Sequence, residues 1–214
     1  MLKFGTDFYI NKKNTVGFSM SGNISNNDRT GDMIYMSSDS AQLLDTWQRI
    51  SENPKYRDGA DFNLFYEKKF DNKDQKLNFD GNYSFGTALS EGIYYENQLN
   101  TAGDIISSNY LQQYNQTPDE NSKVNFQLDY FHPTKIGKME MGLKSTIRLT
   151  EQSFFQETFD NTTSAFVSDD SLNNVFNYGE QVHAGYFIYG FGFEKLQFQI
   201  GLRAEQVFVD AAVE

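Results

Sequence analysis

The chain alternates apolar and polar residues over several short stretches. In VNFQLDY, residues 124–130, every second residue is apolar and the residues between are polar. After a short turn, residues 139–147 resume the same rhythm. A period of two residues indicates β-strands that have one apolar and one polar face. The sequence therefore predicts a hairpin whose two faces meet different surroundings.

Four such hairpins are predicted, each closed by a short connection. They pair residues 2–10 with 15–24, residues 60–70 with 76–85, residues 124–133 with 139–147, and residues 182–193 with 196–205. The segments 25–59, 91–121 and 151–177 join these hairpins and are predicted to be long loops. Short turns that alternate with long loops place every long loop at one end of the sheet. Outer-membrane barrels have this asymmetry, whereas soluble meanders have no reason for it.

One short helix is predicted inside the first long loop, over residues 40–50. Leu44, Trp47 and Ile50 recur at a spacing of three residues, and Ser40 is a suitable N-cap. The rest of the chain is predicted to be all-β, with about eight antiparallel strands in up-and-down order.

The composition agrees with two-faced strands. The chain has 20 Phe and 13 Tyr, too many for a disordered protein, yet only 38% of its residues are hydrophobic and its mean hydropathy is −0.62. It lacks a run of about 18 apolar residues, which excludes a transmembrane helix. A barrel strand needs only about 9–11 residues with alternate ones apolar. The sequence therefore still allows a membrane-spanning barrel.

Charge and cysteine usage exclude several kinds of partner and site. The net charge of −11 argues against nucleic acid as a partner. Within the long loops, residues 28–58, 104–120 and 151–170 hold 14 acidic and 4 basic residues, which disfavours an anionic ligand held by these loops alone. The absence of cysteine excludes disulfides, thiolate metal sites and cysteine nucleophiles. The first residues do not have the pattern of a signal peptide, so an exported protein is expected to be represented here by a fragment.

No catalytic constellation is recognised in the sequence. It contains no G-x-S-x-G, P-loop or H-E-x-x-H pattern. His132 precedes a proline at a strand end, and His183 falls on the nominally polar face of its strand. Neither histidine has a neighbour at a spacing that suggests a metal site or an acid–base pair. We therefore expect no enzymatic activity, no cofactor and no metal.

Three segments of the chain resemble a known family. Residues 62–85, 126–148 and 176–205 are similar to the barrel region of TonB-dependent outer-membrane receptors, and specifically to the outer membrane β-barrel family. The most specific pieces are DYFHP at residues 129–133 and GLRAE at residues 201–205. The similarity extends over nearly the whole chain and is strongest from residue 60 onward.

This resemblance implies a barrel of about 22 strands with an N-terminal plug domain, located in the outer membrane. Its partners would be membrane lipid, a TonB-type energy-coupling protein and a bulky transported ligand, such as a siderophore, glycan or peptide. Residues 1–214 are then expected to be a partial barrel domain, without the plug and the remaining strands. The resemblance does not identify the ligand.

Two sets of residues are candidates for functional contacts. Charged residues on the polar faces of the strands are expected to face the lumen: Asp129, Glu140, Lys144, Arg148, Arg203 and Glu205. Aromatic residues of the long loops are expected to contact ligand outside the membrane: Trp47, Tyr94, Tyr95, Tyr110, Tyr114, Phe154, Phe155 and Phe159. An alternative for the aromatic residues of the segments 91–121 and 151–177 is that they only extend the strands above the membrane, and for Trp47 that it belongs to a short helix packed in its loop.

Two other functions remain open at this stage. A soluble lipocalin-like barrel would turn its apolar face inward around a small ligand. A small outer-membrane barrel of eight strands would be complete in itself. A period of two residues does not separate these cases, because each of them has one apolar face.

Overall fold

The computed structural model describes residues 1–39, 42–168, 170–193 and 196–214. Over these residues the chain forms nine β-strands: β1 (Leu2–Asn11), β2 (Asn14–Asp39), β3 (Gln42–Lys69), β4 (Lys76–Leu99), β5 (Ile105–Pro133), β6 (Gly137–Asp160), β7 (Ala165–Ser168), β8 (Asn174–Phe193) and β9 (Leu196–Val213). No helix in the described part of the chain has the length and apolarity needed to cross a membrane.

The strands form one antiparallel sheet in which sequence neighbours are also spatial neighbours. Their order is β1-β2-β3-β4-β5-β6-β8-β9, and the short strand β7 pairs with β6. Over the described residues β1 and β9 do not pair with each other, so the sheet is open and has two edges. The predicted up-and-down arrangement of about eight strands is confirmed.

The four predicted hairpins are present. They are formed by β1 with β2, β3 with β4, β5 with β6, and β8 with β9. Within each of the first three hairpins, the turn that joins the two strands is short. The turn of the fourth hairpin, at residues 194 and 195, lies outside the described residues. These short turns all lie at one end of the sheet, which we call the short-turn end.

The prediction that three long loops join the hairpins is wrong. Residues 25–39 continue β2 and residues 42–59 belong to β3, whereas residues 91–99 continue β4 and residues 105–121 belong to β5. The described residues of the segment 151–177 contain the end of β6, β7 and the start of β8. The β2–β3 pairing runs without a register shift from Asn14↔Lys68 to Ser37↔Asp45. Polar residues are frequent on both faces of these segments, and apolar residues there also fall on both faces, so the alternation that marks the other strands is lost. Backbone hydrogen bonds do not depend on that alternation, and the ladders therefore continue.

The predicted helix at residues 40–50 is also wrong where the structure describes it. Residues 42–50 belong to β3, and Trp47 has Cα partners in both flanking strands, Tyr35 and Gln98. Pairing on both sides outweighs the weak preference indicated by three apolar residues at helical spacing. Ser40 and Ala41 lie outside the described residues.

The strand register sorts the side chains into two faces. Residues directly opposite each other in neighbouring strands share a face. Phe79, Leu128 and Leu143 are such partners in β4, β5 and β6. At this level the same face carries Phe8, Val16 and Tyr66, and Ile200 of β9 lies on it nearer the short-turn end. We call this the apolar face and the opposite one the polar face, which confirms the predicted alternation.

The apolar face is not covered by any other part of the described chain. Leu99 and Ala184 are the buried hydrophobic residues over the described ranges. Leu143 remains 63% exposed and Ile200 64% exposed. A single sheet cannot bury its apolar face by itself, so this face requires an external partner.

His183 lies on the apolar face, so its predicted position on the polar face is wrong. Its Cα partners are Ser145 and Gln206, and Ser145 lies two residues from Leu143 on the same face. The reason is that residues 182–191 are apolar on both faces, which leaves the alternation undecided. Pairing with β6 decides it, and Ser145 Oγ lies 2.9 Å from His183 Nδ1.

Candidate functional site

The polar face carries the six charged residues predicted to face a lumen. By register Asp129, Glu140, Lys144, Arg148, Arg203 and Glu205 all lie on it. Arg148 Nη1 lies 3.3 Å from Glu180 Oε2, and Arg203 Nη2 lies 2.7 Å from Glu205 Oε2. Such partly exposed ion pairs contribute about 0–1 kcal/mol each. Their role in lining a lumen stays a prediction.

A hydrogen-bonded row of amides crosses four strands on the polar face. Asn82 Nδ2 donates to Asn63 Oδ1 at 2.9 Å, and Asn125 Nδ2 donates to Asn82 Oδ1 at 3.1 Å. Thr146 Oγ1 donates to Asn125 Oδ1 at 2.9 Å. Each of these bonds joins two adjacent strands. The row therefore holds the polar face together at the level where the opposite face is apolar.

A second polar cluster joins β5, β6 and β8. The Tyr186 hydroxyl donates to Asp129, which is only 7% exposed, and Gln127 Nε2 donates to the same carboxylate at 2.8 Å. Tyr186 lies across Gly142 to reach Asp129. A Cβ atom on Gly142 would be 2.5 Å from Tyr186 Cζ and 2.6 Å from Asp129 Oδ1. Gly142 is thus required for this close approach.

The eight aromatic residues predicted to contact ligand do not form one site. All eight lie in strands, which agrees with the alternative interpretation for the seven residues of the segments 91–121 and 151–177, whereas for Trp47 that interpretation expects a helix. The register separates them, with Trp47, Tyr94 and Phe154 on the polar face and Tyr95, Tyr114, Phe155 and Phe159 on the side of the apolar face. Tyr110 lies in β5, and its side chain is outside the described part. Only the first group can reach a ligand on the polar face, and this role stays a prediction.

Tyr114 has a local structural role on the apolar-face side. Its hydroxyl donates to the Glu91 carboxylate. This hydrogen bond, followed by burial and the nearby negative charge, raises the pKa of Tyr114 to about 12. The phenol therefore stays protonated and keeps donating throughout the physiological pH range.

A cavity of about 400 Å³ lies on the polar face, between the long ends of β2 to β6. Tyr94 and Phe154 line it together with Arg29, Lys55 and Arg57. Sequence reasoning missed these three cations as a group, because it treated residues 25–59 as a loop. Continuing the period of two residues through that segment would have placed them on one face.

The two histidines and the acidic residues bear on the expected absence of a metal site and of acid–base catalysis. Within the described ranges, no group of three or more His, Asp or Glu side chains is placed to hold a metal ion. His132 Nδ1 lies 3.2 Å from the Tyr130 hydroxyl, and His183 contacts Ser145. The expectation that the protein has no metal and no catalytic residue remains an expectation.

Comparison with known families identifies the chain. The model of the outer membrane protein beta-barrel family matches residues 68–214 of the 214-residue sequence, which is more than half of it. The chain belongs to the outer membrane protein β-barrel family. The fold described above agrees with this assignment, because the matched region contains the antiparallel strands from β4 to β9 and the end of β3. The protein is therefore located in the outer membrane.

Comparisons with individual proteins add little to the family assignment. No curated protein matches the sequence. A solved structure described as "Crystal structure of lipopolysaccharide binding protein" aligns over 99% of this chain and 77% of that chain, with 10% identity and a TM-score of 0.14. This TM-score is too low to show a common fold, so we draw no argument from that structure.

Outer-membrane location supplies the partner that the apolar face requires, which is lipid. On β6 the apolar face carries Met139, Met141, Leu143, Ile147 and Leu149. This stretch of 11 residues has the length with which a barrel strand crosses the hydrocarbon layer, about 9–11 residues. Glu151 is the next residue on this face, and we expect the part of β6 from there onward to lie outside the hydrocarbon layer.

Substitution of Gly142 by alanine is expected to destabilise the barrel protein by about 1–3 kcal/mol, since overpacking forces neighbouring groups to move. The added Cβ would push Tyr186 away from Asp129 and break their hydrogen bond. The measurement is the temperature at which the folded, heat-modifiable form converts to the unfolded form in detergent.

Gly190→Ala is the matched control, because Gly190 also lies on the polar face of a spanning strand. Its added Cβ would meet ordinary contacts at 3.6 Å or more. We expect this variant to unfold near the wild-type temperature. Tyr186→Ala removes the ring that the added Cβ would meet, so the double variant Gly142→Ala/Tyr186→Ala should be less destabilised than the sum of the two single variants. Equal unfolding temperatures for the two glycine variants would contradict the proposed role of Gly142.

Proposed function

We propose that this chain is the barrel portion of a TonB-dependent outer-membrane receptor that takes up a bulky ligand, and that it has no catalytic activity. In this proposal the sheet is part of a barrel of about 22 strands, and the polar face surrounds a plug domain and water. The apolar face contacts lipid.

The observation that carries the proposal is the open sheet with a charged polar face. Eight strands pair in sequence order, and over the described residues the first and last of them, β1 and β9, do not pair with each other. A closed barrel of eight strands has an interior just wide enough to be filled by side chains. Lys144 and Glu140 form no ion pair within the described ranges, and Lys144 is exposed. Unpaired charges need water or polar partners, which a wide lumen with a plug provides.

The two alternative functions receive less support. A soluble lipocalin-like barrel is disfavoured because the chain belongs to an outer-membrane family. A small self-contained barrel would require β1 to pair with β9, and it would enclose the unpaired charges of the polar face in a narrow interior.

The proposal is tested on the native polypeptide extracted from outer membranes. We expect an antibody against the long β4–β5 hairpin to detect a mature protein several times heavier than the 24.6 kDa of this chain. After formaldehyde treatment of living cells, the same antibody should recover the energy-coupling protein in a cross-linked product. A general porin from the same membranes is the control, and it should yield no such product.

A mature polypeptide near 24.6 kDa, with no cross-link to the energy-coupling protein, would overturn the proposal. That result would favour a small barrel complete in itself.

A further inference from the structure

Beyond the membrane-spanning level, the strands sort their charges by face. The basic residues of the segment 25–59 are Arg29, Arg49, Lys55 and Arg57, and the segments 91–121 and 151–177 contain no Lys or Arg. By register, all four basic residues lie on the polar face. The positive charge of the long hairpins is therefore concentrated on one side of the sheet.

The acidic residues of the same hairpins lie mostly on the opposite side. The side of the apolar face carries eight of them: Asp28, Asp32, Glu52, Asp58, Glu91, Glu120, Glu151 and Glu157. Near the cations, the polar face carries Glu96, which pairs with Arg49 at 3.5 Å, and Asp119, which accepts a hydrogen bond from Asn121 at 3.1 Å. Farther along the hairpins the polar face also carries Asp45 and Asp160, so the excess of acidic over basic residues is found on the outer side.

Three cations on the polar face remain available for a ligand. Arg29, Lys55 and Arg57, which we call the basic patch, take part in none of the ion pairs or side-chain hydrogen bonds found among the described residues. Lys55 and Arg57 are alternate residues of β3, so their Cα atoms are about 7 Å apart. Arg29 pairs with Asn53 on the adjoining strand, which extends the row. A row of separated charges suits a linear ligand that has several anionic groups.

The cavity beside the basic patch has the other features that bind a sugar. Phe154 supplies an apolar ring surface, and the amides of Asn27, Asn53 and Asn115 line the same space. Tyr94 forms a fixed wall, since its hydroxyl donates to Asn53 at 3.3 Å and the Arg49 guanidinium lies 4.6 Å from its ring centroid. Amides pair with hydroxyl groups, and a ring packs against the C–H face of a sugar.

We propose that the basic patch binds an acidic oligosaccharide, with its carboxylate groups on Arg29, Lys55 and Arg57 and its sugar rings against Phe154. This inference rests on the proposed function in one respect, namely that the polar face is open to water outside the membrane. Charge complementarity supports it, because carboxylates pair well with guanidinium and ammonium groups. The acidic outer side repels the same ligand, so approach is favoured only along the polar face.

The test measures binding of a short, fluorescently labelled oligogalacturonate to outer-membrane vesicles. The vesicles come from cells that produce the full-length protein containing this sequence, and vesicles from cells lacking it give the background. We expect saturable binding that weakens as salt concentration rises. The fully methyl-esterified oligosaccharide has the same rings without the charges and should not bind. Linear polyphosphate has the charges without the rings, and we expect it to bind at least about tenfold more weakly than the oligogalacturonate.

Two matched variants locate the site. Combined substitution of Arg29, Lys55 and Arg57 by glutamine is expected to weaken binding about tenfold or more, because hydrogen bonds to charged groups are lost. Combined substitution of Lys12, Lys13 and Lys73 by glutamine removes the same charge from the short-turn end and should leave binding unchanged. Heat-modifiable assembly is measured for both variants, and only assembled protein is compared.

Equal weakening by the two triple variants would overturn the proposal, because the effect would then be one of net charge. Equal binding of polyphosphate would overturn the assignment to a sugar, and so would a lack of oligogalacturonate binding by assembled wild-type protein. These outcomes are separate from the size and cross-linking test of the receptor function, which does not use the ligand.

Discussion

Replacing Leu143 with arginine should prevent assembly of the protein in the outer membrane, whereas Lys144→Arg should assemble normally. Leu143 lies near the middle of the apolar stretch of β6 and is 63% exposed on the apolar face. Arginine at the middle of the lipid-facing side costs about 2–4 kcal/mol, far more than on the lumen side. Assembly is measured as the folded band on unheated gels and as resistance to external protease.

A second pair of variants on β9 adds one positive charge to either face. Ile200→Arg places the charge on the apolar face and should reduce assembly, and Gln199→Arg places it on the polar face and should be tolerated. Both variants of this pair add one charge, whereas in the first pair only Leu143→Arg does so. Any difference between the β9 variants is therefore due to the face and not to the net charge. If the arginines of both faces were tolerated equally, the assignment of the apolar face to lipid would be wrong.

Expression of the 214-residue chain without detergent or membrane should give aggregates and no monomeric protein. Leu143, Ile200 and Leu202 are exposed to 63%, 64% and 77%, and nothing in the described chain covers them. The outer edges of β1 and β9 have no partner strand among the described residues, and such open edges invite pairing with other chains. Size-exclusion chromatography with light scattering measures the outcome, and refolding into detergent micelles is the control.

We expect the detergent-refolded sample to regain β-structure by circular dichroism, while the sample without detergent sediments. A monodisperse, soluble monomer of 24.6 kDa would contradict the prediction. It would favour the soluble ligand-binding barrel, whose apolar face is turned inward.

The membrane-spanning part of the fold was predictable from local sequence. Phe126, Leu128 and Tyr130 alternate with polar neighbours, and the structure confirms that they share one face. The short turns were predictable as well, because each separates two alternating runs. The family assignment followed from the same strands, and the family model matches residues 68–214.

The long hairpins were not predictable in the same way. Asn26 and Thr30 lie on one face of β2 and Asn27 lies on the other, and all three are polar. This part of β2 therefore has no alternation to detect. Their pairing depends on backbone hydrogen bonds with strands distant in sequence, which every residue except proline can form fully. The predicted helix at residues 40–50 failed for the same reason, because its spacing is local and the pairing is not.

The candidate site was predicted only in part. Tyr94 and Phe154 line the cavity beside the basic patch, but Tyr95 and Phe155, their neighbours in sequence, lie on the other side of the sheet. Consecutive residues of a strand point to opposite faces, so membership of one segment does not imply membership of one site.

By itself, the sequence determined the strand type, the four hairpins, the separation of apolar from polar residues and the family, because each of these follows from patterns within about ten residues. The tertiary structure decided how far the strands extend and which charges share a face. Strand extension and the sorting of Arg29, Lys55 and Arg57 onto the polar face depend on register across neighbouring strands. Register is a property of the assembled ladder, and a shift of one residue would exchange the two faces.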